Sequence, residues 1–275
     1  MKITARNIFS YAATVALTAL PFVAFGADSD SSRGMETAIT LGYYLSSIGF
    51  LLATIIIYMA VSRFGKSSLG SIFSFLLIGT GIFFIITVFQ KLGGGFFGIE
   101  AESMDIWWHL MFYMAFFFYF HGFKLLNSLG NDEAQSSSNV QIGSEKRWGI
   151  LALILLVIIF IIPHWADPLV AGYSASHLSE LGLHHFLAFL LSGLVASYLF
   201  TARKNLGQIG KAIANPMIIA MLAFTAQHFW ELLYESWKVV EVTSFLGEGI
   251  EKIFLIIAAG SIGYAALRLK SFARE

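Results

Sequence analysis

The sequence predicts an all-α fold, a polytopic integral membrane protein built as a seven-transmembrane-helix bundle with its N-terminus out and its C-terminus in. Three observations carry that expectation. Hydrophobic residues fill 57% of the 275 positions and charged residues only 12%, a balance that soluble domains do not show. Long apolar runs recur at about 38–61, 69–89, 106–126, 148–165, 183–200, 215–237 and 245–267, most of them near the roughly 20 residues that a helix needs to cross the hydrocarbon core. Basic residues crowd one set of connecting segments.

The N-terminus has the layout of a secretory signal peptide. Lys2 and Arg6 precede the apolar stretch Ile8 to Leu20, and Pro21, the small residues around Ala24 and Gly26, and polar Asp28 to Ser32 follow. Residues 1–26 are therefore expected to be cleaved; the alternative is an extra N-terminal helix, for which this stretch is short. Each later run must be helical, because no water reaches the backbone inside a bilayer. Gly93-Gly94-Gly95 reads as a connection after the second run. Residues 127–146, with Gly130, Asn131, Asp132 and Ser136 to Ser138, form a polar, aperiodic cytoplasmic loop. Pro163 and Pro168 close the fourth run, and Asn215-Pro216 reads as an N-cap followed by a first-turn proline in the sixth. Gly260 and Gly263, with Ala258, Ala259 and Ala265, give the last run a small-residue face for close packing. Residues 269–275 are the cytoplasmic tail.

Charge sets the orientation. Arg63, Lys66, Lys124, Lys146, Arg147, Arg203, Lys204, Lys211, Arg268, Lys270 and Arg274 fall on one side, against Arg33, Lys91 and Lys238 on the other. The rich side belongs in the cytoplasm. With a signal peptide in front, the destination is the inner membrane of a bacterium-like cell. The 17 basic and 17 acidic residues cancel, leaving no surplus to hold a phosphate backbone, so nucleic acid is not an expected partner. Without cysteine there are no disulfides, thiolate ligands or thioether-bound haem, and any metal must use His and carboxylate.

Histidines and acids gather on the expected outer half, the one exception among the histidines being His121. Ionisable groups inside a membrane are costly and face the interior of a bundle. His228, Glu231 and Glu235 stand at i, i+3 and i+7, one stripe of a helix. Asp105 and His109 stand at i and i+4. His184 and His185 are adjacent, about 100° apart, so only one of them is expected to share the direction, and His185 is the residue taken. Glu248, Glu251 and Lys252 open the last run, with Glu248 and Lys252 spaced to pair.

Convergence of His109, His185, His228 and Glu231 makes a metal site for Zn, Fe or Cu, and two of the imidazoles would instead suit a single b-type haem. Glu231 or Gln227 is placed to orient imidazoles. Glu231 and Glu235 are the candidate catalytic residues, for redox exchange with a quinone or periplasmic protein, or for hydrolysis of a lipid-borne substrate. His121, alone near the inner border, excludes a stacked two-haem wire. His164 and His177 read as loop residues. Two other classes stand beside this: a non-enzymatic subunit of a membrane complex that handles protons or cations, and a seven-helix sensor or photoreceptor binding retinal through Lys252. The Glu248-x-x-x-Lys252 spacing is similar to that of microbial rhodopsins, but Met104-Asp105-Ile106-Trp107-Trp108 stands where that family has Arg-x-x-Asp-Trp. The Ser-x-x-x-His and His-x-x-x-His spacings of seven-helix zinc hydrolases are also absent. No family is claimed on these residues.

Overall fold

A computed structural model describes residues 32–64, 67–97, 101–128, 180–204 and 206–272. These form six helices and no strand: α1 Ser32–Phe64, α2 Ser68–Phe97, α3 Ala101–Ser128, α4 Leu183–Ala202, α5 Gln208–Glu231 and α6 Ser244–Phe272, with a π turn, Leu232–Ser236, continuing α5. All of these except α3 are long and apolar enough to cross a membrane, five in number. Helix α3 has 28 residues, about 42 Å at the helical rise, and its tryptophans, tyrosines and histidines lower its hydropathy. The chain is thus a multi-pass helical membrane protein. The expected signal peptide at 1–26, the run at 148–165, the loop beyond Ser128 and the tail beyond Phe272 lie outside the described residues.

The six helices pack pairwise in chain order, α1 on α2, α2 on α3, α3 on α4, α4 on α5 and α5 on α6, and α6 returns to α1. The circuit closes. Its outward faces are apolar, with Leu45, Ile48, Leu52 and Ile55 of α1 exposed, which suits contact with lipid. Its interior is filled by aromatic rings. Phe83 of α2 stacks on Phe224 of α5 at 4.4 Å between centroids and lies 5.5 Å from Phe50 of α1. Phe112 of α3 meets Phe83 edge-on at 5.1 Å. Offset and edge-on arrangements suit the ring quadrupoles and let four helices share one dry contact. Two turns further along α3, Tyr119 is fully buried with its hydroxyl 2.9 Å from Thr80 Oγ1.

Two expectations about helix boundaries are corrected. Gly93 to Gly95 do not form a connection; α2 runs through them to Phe97. Pro216 is not in the first turn of its helix: α5 begins at Gln208 and Pro216 lies inside it. The turns before Pro216 bury Ile213 and Ala214, so packing extends the helix, and Asn215 accepts from Arg203 Nη1 at 3.1 Å instead of capping. The expected small-residue face of α6 does pack closely: Ala258, Ala259 and Ala265 are buried, and a Cβ on Gly49 of α1 would meet Ala259 at 3.1 Å, although Gly263 has no neighbour at its Cβ position among the described residues.

Candidate metal centre

The end of the bundle where α3, α4 and α6 begin and α5 finishes is polar inside. Gly182, just before α4, has φ 70°, a left-handed conformation that side chains disfavour. A Cβ there would also fall 2.2 Å from Ser236 Oγ. Glycine therefore lets the start of α4 close onto the end of α5, and the first turn of α4 carries His184 and His185 into the bundle. His109 comes from the third turn of α3, with His228 and Glu231 from the last turns of α5.

These elements bring together His109, His185, His228 and Glu231, one donor atom from each lying within 4.8 Å of the others. All four are buried. Glu231 Oε2 is the hub: His228 Nδ1 lies 2.7 Å from it, His185 Nδ1 3.1 Å and His109 Nε2 3.8 Å. The other oxygen, Oε1, accepts from Gln227 Nε2 at 2.9 Å. Gln227 therefore holds the carboxylate rather than an imidazole. His228 Nε2 and Gln227 Oε1 are buried with no hydrogen-bond partner among the described residues, a condition that costs about 1–3 kcal/mol per group unless a ligand relieves it. Trp108 and Phe112 wall the cluster, their rings 6.1 and 4.9 Å from that of His228.

Of the two adjacent histidines only His185 joins the four-donor group, as their helical spacing predicts; His184 is half-buried beside it. The ring of His184 lies 4.8 Å from His109 and that of His185 4.5 Å from it. Tyr113 fixes the first turn of α4 by donating to the His184 carbonyl at 2.7 Å.

Glu235 does not join the hub. It lies in the π turn, where backbone bonds such as Trp237 N to Leu232 O (2.8 Å) skip one residue further than in an α-helix. The wider turn makes positions beyond it lag behind the α-helical stripe. Glu235 Oε2 accordingly reaches the far nitrogen of His185, Nε2, at 3.2 Å, and its side chain is 41% exposed. Lys252 pairs with Glu251 at 3.1 Å, not with Glu248, because its ammonium drops toward α1 and sits 4.1 Å from the centre of the Tyr43 ring.

His121 lies apart, its ring 4.9 Å from Phe117. The side chain of Asp105, and His164 and His177 entirely, lie outside the described residues. Sequence reasoning missed Tyr234, whose hydroxyl bonds to both Glu235 and Glu251, and Tyr113. Tyr113 had a signal, since it follows His109 by four residues on one helix face. The chain matches no protein-family model, no curated protein and no solved structure.

Proposed function

We propose that this protein holds one first-row transition-metal ion between His109, His185, His228 and Glu231, near the outer face of a bacterial inner membrane, and uses it for redox chemistry. The observation that carries the reading is the donor group itself: four buried ligand atoms from three helices, mutually within 4.8 Å. Metal–ligand bonds of about 2.1 Å put tetrahedral donors about 3.4 Å apart, so a closure of little more than 1 Å completes a site. A bare ion fits better than haem. Imidazoles on opposite faces of one iron have centroids about 6 Å apart at such bond lengths, and His109 lies 4.5 Å from His185 and 5.3 Å from His228.

Ligand count favours redox over hydrolysis. Four protein donors fill a tetrahedral zinc shell and leave no position for a reacting water, since catalytic zinc keeps three protein ligands. Iron takes more than four ligands and keeps positions open for a substrate. The outward orientation rests on the distribution of basic residues described above, and the electron donor in this reading is a quinol or a periplasmic carrier.

Elemental analysis of the purified protein tests the reading. About one iron or copper per chain is expected, lost in His228→Ala while the helical circular-dichroism spectrum persists. One zinc per chain would convert the site to a structural one, and a folded wild type without any metal would end the proposal. A second reading, a subunit that moves protons or cations through its acids and Lys252, draws on the unbroken chain of contacts from His185 through Glu235, Tyr234 and Glu251 to Lys252. It expects proton flux in vesicles made from metal-free protein.

A further inference from the structure

The contacts that leave His185 run well beyond its four-donor group. A metal-bound imidazole uses one nitrogen for the ion and is aimed by whatever its other nitrogen holds. In His185 the inward nitrogen is Nδ1, which faces Glu231, and the outward one is Nε2, which faces Glu235. Glu235 is therefore placed to aim the ring. A partly exposed carboxylate on its own is a poor anchor, because water competes for it and its rotamers stay free. This one is tied on its other oxygen to the Tyr234 hydroxyl.

Tyr234 in turn is tied to the interior. Its hydroxyl also contacts Glu251 Oε1, so that one phenolic proton and one carboxyl proton are shared among the three groups, and Glu251 Oε2 accepts from Lys252 Nζ at 3.1 Å. Both members of that ion pair are buried, and Lys252 rests over the Tyr43 ring of α1. The backbone is shaped to admit the tyrosine: a Cβ on Gly247 of α6 would come within 2.5 Å of Tyr234 Cε2, so the ring lies against bare backbone. Trp230 adds a bond from Nε1 to the Gly247 carbonyl at 3.0 Å. The π turn presents Glu235 to His185 while Tyr234, its neighbour in the chain, reaches α6.

We infer that Tyr234 is a positioning residue for the metal centre, bracing Glu235 against the Glu251–Lys252 pair so that His185 presents Nδ1 to the ion. The inference rests on the metal reading above. It gives the otherwise isolated ion pair of α6 a role, and it assigns Glu235 to orientation rather than to proton abstraction.

Co²⁺ is a suitable probe, because its ligand-field absorption reports ligand geometry. Full-length protein in nanodiscs is titrated with Co²⁺, and both the dissociation constant and the spectrum are read. Tyr234→Phe, which removes only the hydroxyl, should still bind about one Co²⁺ per chain, with affinity lowered about 10–100-fold, the usual cost of losing an outer-shell partner, and with a shifted band. Tyr119→Phe, which removes a hydroxyl bonded to Thr80 in the aromatic middle of the bundle, should leave both readings unchanged. Glu235→Gln retains an oxygen to accept from Nε2–H and should recover most of the affinity lost in Glu235→Leu, a rescue that a mere packing role would not produce. An unchanged affinity and spectrum in Tyr234→Phe would overturn the brace alone, as would Glu235→Gln binding no better than Glu235→Leu. A wild type that binds no Co²⁺ would remove the metal reading and the brace together. Should Tyr234→Phe fail to fold, the two Glu235 variants decide the matter.

Discussion

The aromatic middle of the bundle and its polar end are both closed to solvent, yet they are held in opposite ways. In the middle, Phe50, Phe83, Phe112 and Phe224 meet through dispersion and ring geometry, and each ring contributes by the volume it fills. At the polar end, His109, His185, His228 and Gln227 converge on a single carboxylate, and each group contributes by satisfying another. Lipid supplies no hydrophobic force between helices, so packing and polar contacts have to hold the ring of helices closed. The difference teaches that the middle should tolerate shape-preserving change, whereas the polar end should fail as a unit when its hub is removed.

Substitution of that hub should show the largest effect. Glu231→Leu strips three imidazoles and Gln227 of their common acceptor. It is expected to abolish metal binding and to lower stability by about 3–5 kcal/mol, the range for breaking a buried charged contact; metal analysis and denaturant titration in mixed micelles measure both. Retention of the ion would show that Glu231 is not its anchor and would dissolve the contrast. Next comes Phe83→Ala, at the centre of the aromatic stack, expected to cost about 3–5 kcal/mol through the cavity it leaves while the metal content per folded chain stays at the wild-type level. Loss of metal there would mean that the two regions are one. The smallest effect belongs to Tyr119→Phe. It removes the bond to Thr80 without changing the ring, and about 0.6–1.7 kcal/mol is expected, as for interhelical bonds in membranes generally. Together the three variants separate filling from pairing.

The helices could be read from the sequence because a bilayer imposes one simple rule, a long apolar run, which five of the six described helices obey. Their ends could not be read with equal ease. Asn215 and Pro216 carry the local signature of a helix start, but Ile213 and Ala214 find buried surface, and tertiary packing outweighs the cap. His228 and Glu231 share a stripe by spacing alone, so their neighbourhood follows from one helix. Which residues of α3 and α4 would face that stripe is a property of the ring closure, which no single segment encodes. The inward placement of His185 depends on Gly182 fitting against Ser236, a contact between positions 54 residues apart in the chain. The π turn leaves no periodic trace, and Tyr234 beside Glu235 looks like any aromatic residue at a membrane surface.

Helical register is loosest where a turn is one residue too wide. Were Leu232–Ser236 to tighten into α-helical spacing, everything C-terminal to it would swing about the axis, carrying the Glu235 carboxylate off the outer nitrogen of His185 while His228 and Glu231, one turn deeper, kept their places. The outer rim of the polar cluster thus holds a slack turn of backbone that can reel in or pay out by a single position, and the innermost donors need not feel it.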